Sequence, residues 1–186
     1  MRPRLTVRDG FRVLMAALWC VDETGVLPVF LFAAAVHEAG HLLVLHLSGG
    51  QMRELTLTCC GAVLRCTLPV GRYARAAVCL AGPAASFALT AGAGACGMER
   101  LAGASALLGL FNLLPLPPLD GGMAVAHLAD DRLPWLRTAL AVAAAVLLLS
   151  AGFFLLQRGG GCWLLLIGGL VCWQNGKKLA KSAGIV

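Results

Sequence analysis

Apolar residues run almost unbroken from residue 26 to residue 47, and His37, Glu38 and His41 interrupt the middle of that run. A stretch of this length predicts a membrane-crossing helix, because about 20 apolar residues match the hydrocarbon thickness of a bilayer. Five more apolar segments follow, at residues 11–21, 76–96, 101–116, 136–156 and 162–173. The first of these is short and reads as a tilted or partly interfacial helix. In the polar interval 48–75, Glu54-Leu55-Thr56-Leu57-Thr58 and Ala62-Val63-Leu64-Arg65-Cys66-Thr67-Leu68 alternate on either side of Gly61, which predicts a two-stranded hairpin. The expected fold is therefore an all-α polytopic membrane protein. It has about six transmembrane helices and a short membrane-associated β-hairpin between helices two and three, all in one domain over residues 1–186. Small residues crowd the third span (Ala81, Gly82, Ala84, Ala85, Ser86, Ala88), which suits close helix packing in lipid.

Composition agrees with this pattern. Of the 186 residues 59% are hydrophobic and 13% charged, whereas soluble domains are near half apolar and a quarter charged. The excess implies a lipid bilayer as the surrounding medium. The net charge of +6 is gathered at the ends and loops of the apolar spans: Arg2, Arg4, Arg8 and Arg12; Arg53, Arg65, Arg72 and Arg75; Lys177, Lys178 and Lys181. That distribution sets topology and argues against a nucleic-acid partner. The eight cysteines include no C-x-x-C pair; most lie in or beside apolar spans, and they read as reduced thiols facing the cytoplasm.

The chemistry sits inside the apolar spans. His37 and His41 are four residues apart, so a helix projects both from one face, one turn apart. Two imidazoles so placed can share a zinc ion, with Glu38 beside them to handle a proton. Histidines bonded to neighbouring carbonyls in a packed helix are the alternative. The cost of burying ionisable groups at membrane depth favours a functional role. A second constellation ends span four: Phe111-Asn112-Leu113-Leu114-Pro115-Leu116-Pro117-Pro118-Leu119-Asp120-Gly121-Gly122. Three prolines break the helix, and broken backbone at that depth needs a protein or water-lined surrounding. Asp120 is placed to enter it as a third ligand. An ordinary Pro-rich turn is the competing reading of this segment. Two histidines and one carboxylate make a zinc site with an open position for water, and Glu38, not itself a ligand, becomes the general base. A metal transporter or a non-catalytic membrane scaffold are the alternatives. Neither needs a carboxylate next to its ligands. His46 lies five residues past His41, about 140° round the helix, and faces elsewhere. His127 reads as a polar residue beyond the Gly-Gly turn.

His37-Glu38-Ala39-Gly40-His41, followed by Asn112-Leu113-Leu114-Pro115-Leu116-Pro117-Pro118-Leu119-Asp120-Gly121-Gly122, resembles the paired motifs of the site-2 protease family of intramembrane zinc metalloproteases. The six-span layout with a hairpin is most similar to the short, sporulation-type branch, which processes a sigma-factor precursor. The resemblance implies His37, His41 and Asp120 as zinc ligands and Glu38 as catalytic base. It places Asn112 near the substrate backbone, with Pro115 and Pro118 in the segment that meets an extended substrate. It also matches Ala81-Gly82-Pro83 to a small-residue motif. Ser86 stands where the family often has Asn. No PDZ or CBS domain is recognised in the 186 residues, so regulation is expected from a membrane partner. The substrate class implied is a membrane-associated protein.

Basic residues place the Arg-rich N-terminus, the hairpin, the loop before residue 134 and the Lys-rich tail on the cytoplasmic side, and Asp22-Glu23 and Glu99-Arg100 outside. His37 and His41 then lie in the inner half of the membrane. Reporter fusions at Val186 and near Glu99 should report opposite sides; an external C-terminus would contradict the six-span topology.

Overall fold

The computed structural model describes residues 4–58, 61–129, 134–157 and 169. The expected sixth span at 162–173, the Lys-rich tail and Cys59, Cys60, Cys162 and Cys172 lie outside the described residues, apart from residue 169. The chain is mostly helical and forms two compact units, Met1–Phe111 and Asn112–Val186.

The first unit runs β1 (Arg4–Val7), α1 (Asp9–Val21), α2 (Val26–Leu47), β2 (Gln51–Thr58), β3 (Gly61–Thr67), α3 (Arg72–Ala95) and α4 (Glu99–Asn112), whose last residue falls at the boundary. The hairpin expected around Gly61 is present, with Leu55 opposite Leu64 and Thr58 opposite Gly61. It has gained a third strand. β1 lies parallel to β2, with Arg4 opposite Glu54 and Val7 opposite Leu57. Glu54 ties the sheet together, accepting a hydrogen bond from Thr6 Oγ1 at 3.1 Å and lying 3.5 Å from the Arg65 guanidinium.

Of the expected spans, α2 with 22 residues and α3 with 24 are long and apolar enough to cross a membrane. α1 has 13 residues and α4 has 14, short of the roughly 20 that a bilayer requires. α4 ends at Asn112, four residues before the predicted limit of 116, because the proline-rich segment cannot continue it. The start of α2 is secured from outside. Asp22 accepts backbone N–H bonds from Leu27 at 2.7 Å, Val26 at 3.1 Å and Thr24 at 3.3 Å. The Leu27 bond foremost, against some burial and with help from Val26 and Thr24, holds the Asp22 carboxyl below its ordinary value.

The packing is inverted relative to a water-soluble helix pair. α2 buries Ala33, His37, His41 and Leu45, while Phe30, Leu31, Phe32, Leu43 and Leu47 face outward. A surface this apolar is matched to lipid rather than water. α2 and α3 approach closely because their contact is built from small residues. A side-chain carbon at Gly40 would sit 2.6 Å from the Ala81 carbonyl oxygen and 2.6 Å from the Ala85 methyl. Any larger residue there would push the helices apart.

The second unit contains α5 (Asp120–Ala129) and α6 (Pro134–Gln157). Leu116, nearly inaccessible, packs with Ala141, Ala144 and Ala145 of α6 and with Leu114 and Leu119. The proline-rich segment is thereby anchored to α6 through one leucine. The Asp120-Gly121-Gly122 sequence opens a helix where a loop was expected. Carbons added at Gly121 and Gly122 would run into the backbone of Leu113 and of Leu116, so both glycines are needed for the segment to fold back over the helix start.

Candidate metal centre

The two histidines meet at the buried α2–α3 contact. His37 and His41 are 4% and 8% exposed. Their rings stand edge to face with centroids 4.9 Å apart, and their Nε2 atoms are 3.2 Å apart. Each Nδ1 is tied to α3. The Nδ1–H of His41 donates to the Val78 carbonyl at 2.7 Å, and His37 Nδ1 lies 2.9 Å from Ser86 Oγ. A carbonyl only accepts, so in the neutral ring the proton of His41 resides on Nδ1 and its Nε2 presents a lone pair. Such outer bonds orient metal-binding imidazoles and raise their basicity.

Both Nε2 atoms face Gly82. A carbon added there would contact His41 Nε2 and lie 2.7 Å from His37 Nε2. The missing side chain leaves the nitrogens a common open space. Asp120 opens α5, where the partial positive charge of a helix start favours an anionic side chain. The histidines of the first unit and the Asp120 carboxylate of the second are donor types that a metal ion takes. The donor set fits zinc: two imidazole nitrogens whose second nitrogens are already engaged, one carboxylate and a cleared space beside the nitrogens.

The other expected site residues are placed as follows. Glu38, half-buried, follows His37 on α2. Asn112, half-buried, is the last residue of α4, Pro115 is half-buried, and Pro118 is exposed. His46 is exposed in the last turn of α2, and His127 lies in the last turn of α5. No disulfide links the described cysteines, and partial burial pushes the Cys66 thiol up, away from reactivity. Three contributors escaped the sequence reading: the Val78 carbonyl, the space at Gly82 and the Ser86 hydroxyl. Their signal was the four-residue spacing 78, 82, 86, one stripe along the α3 face that meets the histidines.

No protein-family profile and no curated protein sequence matches the chain. Among solved structures, the site-2 protease from Methanocaldococcus jannaschii matches with a TM-score of 0.64 at 19% identity, over 90% of this chain and 86% of that one. The fold is that of a site-2 protease. The likeness extends over most of both chains, although the side chains that fill this fold have largely diverged.

Gly82→Ala offers a direct check of the cleared space. The added carbon would meet both imidazole rings, so the rings must shift, and circular dichroism with thermal denaturation establishes that the variant folds. Its methyl would occupy the space before the two Nε2 atoms. Elemental analysis should find most of the metal gone; full retention would show that the ion, if bound, sits elsewhere.

Proposed function

We propose that this protein is a zinc-dependent intramembrane endopeptidase of the site-2 type. The observation that carries the reading is the buried His37 and His41 pair, its Nε2 atoms 3.2 Å apart, with Glu38 next to the first histidine. The site-2 protease fold supports it. His37 and His41 would hold zinc through Nε2, and Asp120 through its carboxylate. The ion, when bound, supplies a Lewis acid that polarises a carbonyl and acidifies water. Glu38 then accepts the proton of the attacking water and delivers it to the departing amine, so the peptide bond is hydrolysed without a covalent intermediate. A scaffold or transporter would have no use for that proton relay.

A helical transmembrane substrate locks its peptide bonds in its own hydrogen bonds. The substrate must therefore unwind, and Asn112 with the carbonyls around Pro115 and Pro118 would pair with the extended strand. The protein would be multi-pass, with both termini and the active site toward the cytoplasm. Its partners would be a membrane-associated protein substrate and a regulatory membrane protein. The motif likeness to the sporulation branch makes a membrane-tethered sigma-factor precursor the first substrate to test.

Glu38→Gln separates binding from chemistry. Glutamine is nearly isosteric but takes no proton from water. In coexpression with a cleaved membrane substrate, this variant should keep its zinc and lose at least about 100-fold in cleavage, the scale of a positioned general base. Normal cleavage would assign the base elsewhere.

A further inference from the structure

A groove of about 630 Å³ lies between the first two turns of α2 and the α3–α4 turn, and it shares no residue with the metal centre. Small-molecule sites span roughly 300–1,000 Å³, so the volume suits a ligand. The walls are apolar. Pro28, Val29 and Phe32 lie three and four residues apart on one face of α2, and Leu101 lines the groove from α4. Glu99 and Arg100, both exposed at the start of α4, are the charged residues that line it. The Arg100 guanidinium donates to the Thr24 carbonyl at 3.1 Å, which fixes it beside the start of α2. A guanidinium carries five N–H donors, so this bond leaves others for an anion. The Asp22 carboxylate, by contrast, is turned to the backbone N–H groups of Thr24, Val26 and Leu27.

We propose that this groove binds a zwitterionic phospholipid with a primary ammonium head, of the phosphatidylethanolamine class. An acyl chain would lie along Pro28, Val29 and Phe32, the phosphate would accept N–H bonds from Arg100, and the ammonium would donate to the Glu99 carboxylate. Charge selects the head. A purely anionic head would meet Arg100 but would sit against Glu99 and near Glu23, which precedes Thr24 in the chain. A choline head has no N–H to give Glu99. A protein helix would cover the apolar walls equally well, so the adjacent opposite charges at the rim are what favour a lipid. The site rests on α2 and α3 crossing the membrane, which brings their ends to the headgroup layer, and it does not depend on the metal.

Native mass spectrometry of the full chain released from detergent tests this, with phosphatidylethanolamine, phosphatidylcholine and phosphatidylglycerol of identical acyl chains as probes. The wild type should bind one phosphatidylethanolamine about tenfold more tightly than either other lipid, the scale of one charge-assisted hydrogen bond. Glu99→Gln should erase the preference over phosphatidylcholine. Arg100→Gln should weaken all three lipids about tenfold. Val29→Phe, which narrows the groove, should weaken them too. Arg12→Gln, which removes an exposed cation paired with Asp9 on α1, should bind as the wild type does. Circular dichroism establishes that each variant folds. Equal affinity for the three heads, a preference for phosphatidylglycerol, or wild-type binding in both Glu99→Gln and Arg100→Gln overturns the proposal. A lipid-free dimer that Val29→Phe dissociates would give the groove to a second copy of the chain and overturn it as well.

Discussion

Two imidazole nitrogens held 3.2 Å apart against a bare glycine are the constraint on which the rest of the first unit depends. Nitrogens this close need a proton or a cation between them, and rings this deeply buried need partners for both nitrogens. An unmet polar group in such surroundings costs about 1–3 kcal/mol, a large share of the stability of any small domain. The α2–α3 contact meets the demand through Val78 and Ser86. It does so only because Gly40 lets the helices close and Gly82 leaves the nitrogens room. The small residues of α3 are therefore both packing surface and site wall.

The same contact explains why the polar groups face inward and the large apolar ones outward. Phe30, Phe32 and Leu43 are exposed on α2, and His37 and His41 are not. In water this arrangement would aggregate; in lipid it confines the polar chemistry to a protein-lined interior. The second unit follows a related logic at shorter range. Leu116 pins the proline-rich segment to α6, and Gly121 and Gly122 allow that segment to lie over the start of α5. Asp120 is thus delivered at a helix start, a position suited to negative charge.

Much of this was legible in the residues. The four-residue histidine spacing, the alternation around Gly61 and the small residues near Gly82 each carry a strong local period, and each appears as an element or contact. β1 was not legible. Arg4–Val7 is only four residues long, reads as a charged membrane flank, and pairs with a strand about fifty residues away. α5 was hidden because Asp-Gly-Gly after three prolines has the composition of a turn, and only the tertiary approach of Leu113 and Leu116 shows why the glycines stand in a helix. Ser86 was noted as standing where the family often has Asn, but its bond to His37 was not legible, because a serine in a small-residue stripe carries no sign of its partner across the helix contact. Six full spans are not shown among the described residues: α1, expected to be short, has 13 residues, and α4 has 14.

X-ray absorption at the zinc edge of the purified protein tests the central claim most directly. The account predicts a shell of only nitrogen and oxygen at about 2.0–2.2 Å, with the outer scattering of two imidazole rings. Sulfur at about 2.3 Å, which would bring cysteines into the shell, or scattering without two imidazoles, would contradict it.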